Sequence, residues 1–277
     1  MSTAFTSEPT QSALSGLLAG SFWRKHWLIS IVSLVGGLII WQLLAALVVR
    51  DPILLPTPVA TVEILIRYLN QPYPTGGETL LGHAGTSLTR VLTGFVLGSL
   101  IGIVIGAFMA SFRGIRAVID PFIELTRPLP PLAFVPILIV WFGIGEAPKI
   151  ILITAGVVPV MAISTVAALD SVPREMLNCA RCLGASEWYT MLHVRIRAAM
   201  PQIITGMRLS MGLSWTSIVA VEMIAATAGL GYVILQAGEF LNTGLIFAGI
   251  LIIAALGLAL DAGLRRLLWY LDPTMRA

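Results

Sequence analysis

Glu222 and Arg208 are the ionisable residues of an otherwise apolar stretch, residues 201–227. Charge is costly in a hydrocarbon interior, so an acid or a base held there marks a functional position by default. Ser214, Trp215, Thr216 and Ser217 precede Glu222 by one to two helical turns. That polar face either lines a pathway or gate or bonds a neighbouring helix. Arg208, near the other end of the stretch, is expected to snorkel to the interface. A third group, Arg127, precedes Pro128-Leu129-Pro130-Pro131, a run that cannot continue a regular helix. Broken backbone at membrane depth is tolerated where it is buried or lines a cavity. Exposed amide N–H groups beside an arginine there would suit an anion.

Other chemistries fail on residue type or spacing. Cys179 and Cys182 have C-x-x-C spacing, but a zinc site needs four ligands and only His193 lies nearby. A redox role would need a βαβ context that the surroundings do not suggest. His26, His83 and His193 all fall outside the apolar stretches, which removes a haem-ligand pair. No metal site is expected. There is no G-x-S-x-G or H-E-x-x-H motif and no pair of carboxylates within an apolar stretch. Lysine occurs only at Lys25 and Lys149, neither of them after a glycine. A Walker A motif is therefore absent, and this chain does not hydrolyse nucleotide through a P-loop.

The elements that must position these residues follow from composition. Charged residues make up 11% of the 277 residues, against ~25% in a soluble domain. Hydrophobic types reach 57%, beside 26 glycines. So few charges cannot cover a water-facing surface, and so apolar a chain is not disordered. The net charge of +3 is too small to argue for nucleic acid. Residues 27–49, 91–112, 150–169 and 240–260 are free of charge, and about 20 residues of helix span the ~30 Å hydrocarbon core. Residues 118–144, interrupted by prolines, and 201–227 raise the expected number of spans to six. The chain is thus expected to be an all-α, multi-pass membrane protein.

With the N-terminus inside, Arg24, Lys25, Arg113, Arg116, Arg174, Arg181, Arg195, Arg197, Arg265, Arg266 and Arg276 face the cytoplasm. Only Arg50, Arg67, Arg90 and Lys149 then face outward. The positive-inside rule accordingly places both termini in the cytoplasm. Residues 1–26 read as a mobile cytoplasmic tail and 27–277 as the membrane domain. A signal peptide is not expected, because the first apolar run exceeds a 7–15 residue h-region and no A-x-A site ends it. No internal repeat stands out.

Three segments carry further expectations. Thr57 can cap a helix with Pro58 at its first position, and Val59, Val62, Ile66 and Leu69 would form its apolar face at the outer interface. Gly94, Gly98, Gly102 and Gly106 form one helical stripe that lets another helix approach closely, within the chain or across a dimer. Residues 170–197 hold seven charges in 28 residues, the density of a soluble surface. Helical spacing at Met176, Ala180 and Leu183, a break at Gly184 and a cap at Ser186 predict a helix–glycine–helix unit that docks on something.

That unit also carries a resemblance. Asn178-Cys179-Ala180, Gly184 and Val194-Arg195-Ile196-Arg197 resemble the E-A-A-x₃-G-x₉-I-x-L-P loop of the inner-membrane permease subunits of ABC importers. Asn178 and Cys179 replace the pattern's Glu and first Ala, and Arg197 replaces its Pro. Ile119-Asp120-Pro121-Phe122-Ile123-Glu124-Leu125, Arg127-Pro128-Leu129-Pro130-Pro131-Leu132-Ala133 and Trp141-Phe142-Gly143-Ile144-Gly145-Glu146 are similar to the taurine, aliphatic sulfonate and nitrate branch of that family. So are Thr205-Gly206-Met207-Arg208 and Ala220-Val221-Glu222-Met223-Ile224-Ala225-Ala226-Thr227, while Gly238-Glu239-Phe240-Leu241 is most similar to taurine permeases. The resemblance covers residues 50–270.

It implies a type I ABC importer permease in a bacterial inner membrane, working as a pair of membrane subunits, taken as a homodimer. Two cytoplasmic ATPase subunits would bind the ATP and magnesium, and a periplasmic solute-binding protein would deliver a small anion, taurine or a related sulfonate. Nitrate, bicarbonate and a pyrimidine precursor are the alternatives within the family. Asn178, Cys179, Ala180, Leu183, Gly184, Ala185, Ser186 and Glu187 would form the loop seated in the ATPase. Arg127, Pro130, Trp141, Ser214, Trp215, Ser217 and Glu222 would line the pathway or gate. The rivals of another class are an ion-coupled secondary transporter, which would need more intramembrane carboxylates than a nearly solitary Glu222, and a scaffold protein.

Overall fold

The computed structural model describes residues 29, 31–126 and 128–271. The expected N-terminal tail and Arg127 lie outside the described residues. Among the described residues the chain is all-α, apart from one isolated bridge between Pro72 and Thr79. The helices are α1 (Ile31–Val49), α2 (Pro58–Asn70), α3 (Leu80–Ser111), α4 (Arg113–Thr126), α5 (Val135–Phe142) and α6 (Glu146–Asp170). They continue with α7 (Arg174–Cys182), α8 (Glu187–Tyr189), α9 (Ile196–Ala225), α10 (Leu230–Glu239) and α11 (Thr243–Leu271).

Helices α1, α3, α6 and α11 are long and apolar enough to cross a membrane. A fifth candidate is the pair made by α4 with residues Pro131–Phe142, bent by 90° at the proline run. Helix α9 has 30 residues, about 45 Å; Arg208, Glu222 and its serines make it more polar than the others. These helices match the six expected stretches, with shifted ends. Helix α3 begins eleven positions before the expected residue 91, because Thr79 caps it by accepting from the Gly82 N–H and its polar first turns are satisfied internally.

The centre of the molecule is the pairing of α3 with α6, backed by α9. The glycine stripe makes it possible. A Cβ on Gly94 or Gly98 would lie 2.7 Å from the Cβ of Ile153 or Val157, and one on Gly102 would lie 2.5 Å from that of Met161. Gly106 faces Ala162 and Thr165 in the same way. The stripe is therefore an intramolecular seam. Val91, Phe95, Leu152, Ile153, Val157 and Met161 close over it, joined by Ile203, Met211, Trp215 and Ile218 of α9. Gly206 repeats the device by bringing α9 against Ser164.

A second cluster joins α3, α10 and α11 through Leu80, Leu230, Val233, Ala237, Leu245 and Ala248. Helix α2 packs on it, capped by Thr57, whose Oγ1 accepts from the Ala60 N–H. Of its expected interfacial face, Leu69 packs inward instead. Val59, Val62 and Ile66 are exposed, whereas Thr61 is buried and Ile64, Leu65, Tyr68 and Leu69 pack inward. In a membrane protein both sides of a helix can be apolar, so apolar spacing alone does not tell which side meets protein. Helix α1 is nearly free of the rest, with 6% of its most apolar window buried. It is held by Trp41, which stacks on Phe247 and donates its indole N–H to the Pro56 carbonyl.

Candidate functional site

One end of the bundle carries the helix–glycine–helix unit. Helix α7 ends at Cys182, and Gly184 turns the chain at φ +83°, with its N–H donating to the Arg181 carbonyl. An L-residue is strained in this left-handed region and glycine is not. Ser186 restarts the helix by accepting from the Tyr189 N–H. From Glu187 the helix runs through a π turn, Thr190–Arg195, directly into α9, so the second half of the unit and Glu222 share one helical rod.

The unit presents apolar side chains to the outside. Leu183 is 88% exposed and Trp188 67%. Asn178, Cys179, Ser186 and Glu187 are exposed too, with Ala180 and Ala185 half-buried. Both cysteines are free thiols. Arg181 bonds Glu187 across the turn at 2.9 Å and steadies it. On its inner side Arg195 donates to the carbonyls of Leu169 and Ala110 and to Asp170. The π turn is thereby tied to the ends of α3 and α6.

The opposite end is closed by charge. Glu222 is 1% exposed and has many partners, which corrects its expected isolation. Arg90 donates to it at 2.7 Å, Ser87 at 2.8 Å and the Gly231 N–H at 3.0 Å. Arg90 also holds Glu146 with two parallel bonds, at 2.5 and 2.6 Å, and donates to the Ala228 carbonyl. Lys149 adds a bond to Glu146 at 3.1 Å. Two cations thus meet two carboxylates, and the cluster joins α3, α6, α9 and the start of α10. Arg90 and Lys149, expected to face outward, are buried, because these carboxylates offset the loss of water.

The turn between α9 and α10 is locked in detail. The Leu230 N–H donates to Ser87 Oγ, and the Gly229 N–H donates to His83 Nδ1. His83 therefore donates from Nε2 to the Tyr73 carbonyl, 2.8 Å away, as a neutral ring. A side chain on Gly229, where φ is +121°, would collide with the Glu222 carboxylate. His83, Ser87 and Arg90 lie on one face of α3 at i, i+4 and i+7, a spacing visible in the sequence, yet sequence reasoning missed them and Glu146.

The remaining expected pathway residues are divided. Ser214 is buried and donates to the Ser210 carbonyl, and Ser217 is buried beside it. Trp215 is buried in the main core, its Nε1 without a partner among the described residues. Pro130 and Trp141 are exposed instead, and no hydrogen bond joins them to α9 among the described residues. Arg208 does not snorkel alone. It grips Asp261 of α11 with bonds of 2.7 and 3.1 Å, and Arg265 supports Asp261 at 2.8 Å. Among the described residues, no cluster of three or more His, Cys, Asp or Glu side chains could hold a metal ion.

Residues 98–277 match the family described as binding-protein-dependent transport system inner membrane component. The chain belongs to this family. Within it, the taurine transport system permease protein TauC of Escherichia coli (strain K12) is 39% identical over 245 residues, covering 88% of this chain and 89% of the relative. The bicarbonate transport system permease protein CmpB of Synechococcus elongatus is 33% identical over 251 residues, covering 86% and 88%. A solved inward-facing structure of the MetNI methionine ABC transporter has a TM-score of 0.61 at 18% identity, over 70% of this chain and 96% of that one. At that identity the likeness speaks for the fold, that of an ABC importer permease. The chain is thus an ABC transporter permease and an inner membrane component.

Proposed function

We propose that this permease is the translocation subunit of an ATP-driven importer that carries taurine or a related sulfonate inward by alternating access. The observation that carries this reading is the exposed Leu183–Gly184 knob at the foot of the helical rod that runs from Glu187 into the Glu222 cluster. A push on residues 178–187 at one end turns a helix that is pinned at the other. The ATPase is a separate subunit on this reading, holding ATP and magnesium, and the chain itself hydrolyses nothing. Two permease copies face one another, a solute-binding protein delivers the anion from the periplasm, and both termini lie in the cytoplasm. Glu222 acts as the latch that fixes α9 against α3 and α6, with Ser214, Trp215 and Ser217 on the segment it moves. Arg127, Pro130 and Trp141 supply the anion-facing and gate elements beside the proline break.

Taurine is preferred because the identity to TauC, 39%, exceeds that to the bicarbonate permease, 33%. Bicarbonate is the second reading, favoured by that same relative. The test is uptake into proteoliposomes holding this chain, an ATPase and a binding protein from its own operon. Taurine uptake that needs ATP and all three proteins is expected. Uptake by the chain alone, driven by an ion gradient, would overturn the importer reading. ATP-dependent uptake of bicarbonate but not taurine would overturn the substrate alone.

A further inference from the structure

Beside the docking unit, on its inner side, lies a basin that shares Asn178 and Arg181 with it. It is lined by Arg113, Arg116, Arg174, Arg181, Arg195 and Asp170 and has a volume of about 830 Å³. Asp170 bonds Arg116 at 2.9 Å and Arg195 at 3.2 Å, Asp120 bonds Arg116 at 3.5 Å, and Glu187 bonds Arg181. Five guanidinium groups therefore meet three carboxylates, and the excess is positive. Arg113 and Arg174 are exposed and have no ion pair among the described residues.

A second cavity, of about 660 Å³, adjoins the basin and shares Leu177, Arg181 and Arg195 with it. Its other walls are mostly apolar, among them Ile103, Val104, Ala107 and Phe108 of α3 and its cap Phe112, with Ser111, Glu187 and Thr190 as the polar exceptions. This trough follows α3 from the basin toward the membrane centre for about 13 Å. Val104 and Phe108 are exposed, so it opens sideways. The basin sits where α3 ends at Ser111 and α6 ends at Asp170, which is the depth at which apolar helices give way to headgroups.

We propose that this composite site holds an anionic membrane lipid, its phosphate among the arginines and an acyl chain in the trough. Basic pockets between membrane helices bind acidic headgroups, and the trough adds a demand for hydrocarbon that a free phosphate does not meet. An acidic segment of a water-soluble partner fits less well, because the trough runs below the interface. The bound lipid joins α3 and α6 to α7 and the π turn, next to the docking unit.

Native mass spectrometry of the purified chain tests this, with phosphatidylglycerol, phosphatidylcholine and inorganic phosphate as probes. Retention of phosphatidylglycerol is expected to exceed that of phosphatidylcholine by about tenfold or more. The R113A/R174A variant should lose that excess, and R67A/R266A, with the same change in charge at other exposed positions, should keep it. Val104→Trp, which fills the trough and leaves every arginine in place, should also lose it, with the helical circular dichroism signal preserved in each variant. Equal retention of both lipids, or an excess unchanged in R113A/R174A, would overturn the proposal. So would displacement of the lipid by inorganic phosphate, which would indicate a small-anion site, or by the ATPase subunit, which would indicate a protein dock.

Discussion

The two ends of the bundle are built on opposite principles. At the Glu222 end, charge is mutually satisfied, with Glu222, Arg90 and Lys149 buried. Arg90 sits between two carboxylates, and each N–H at the start of α10 described above has an acceptor. At the Gly184 end, apolar side chains stand in the open and arginines outnumber the acids near them. The first arrangement has nothing left to bind, and its bonds hold helices in one relation. The second is incomplete as it stands and calls for contact with something else. A single rod, from Glu187 to Ala225, connects them. The same helix is thus pinned by the ionic cluster at one end and adjoins the exposed unit at the other.

If the contrast holds, stability and coupling should separate by end. Arg90→Ala leaves Glu222 buried with no cation, and its expected cost is the largest, about 3–5 kcal/mol, read as a fall in the thermal unfolding midpoint of the purified chain. Glu146→Gln should cost far less, because Glu146 is 56% exposed and water can replace its partner. Equal effects of the two would mean that the cluster is a surface ion network, and the contrast would fail. Next comes the seam between the ends. Gly102→Leu forces a side chain against Met161 and should destabilise by about 1–3 kcal/mol or more, whereas Gly114→Leu, with open space around it, should be neutral by the same measurement.

How far these features could be read in the sequence depends on whether a signal is local. The cap at Thr57, the break at Gly184 and the cap at Ser186 are set by neighbours a few residues away, and the structure has them where the spacing places them. The glycine stripe announced a close helix contact and not its partner, because four missing side chains fit any flat surface. Glu222 was visible as an anomaly, yet its partners lie more than 130 positions away at Ser87 and Arg90. Arg90 and Lys149 were misread because a charge near the edge of an apolar run looks the same whether it meets water or a buried carboxylate.

Gly184→Ala is smaller in stability, roughly 1–2 kcal/mol, since it places a Cβ at φ +83°. No atom crowds the position, so the cost is backbone strain. Uptake should fall further than that strain alone would cause, because the strain is relieved by turning α8 and with it the direction of the knob.

The smallest change in stability should come with a large change in function. Leu183 is 88% exposed, so Leu183→Asp removes little packing and should leave the unfolding midpoint where it was. If the knob seats in an apolar groove of the ATPase, burying a carboxylate there is costly, and the ATPase should no longer co-purify. The variant would then be a folded permease with an intact latch and no handle. Should Leu183→Asp instead unfold the chain, the knob would belong to the fold of the permease itself. Should it fold and still retain its ATPase, the handle would lie elsewhere on residues 174–189, and Trp188, the most exposed of the remaining large apolar side chains there, would be the position to change next.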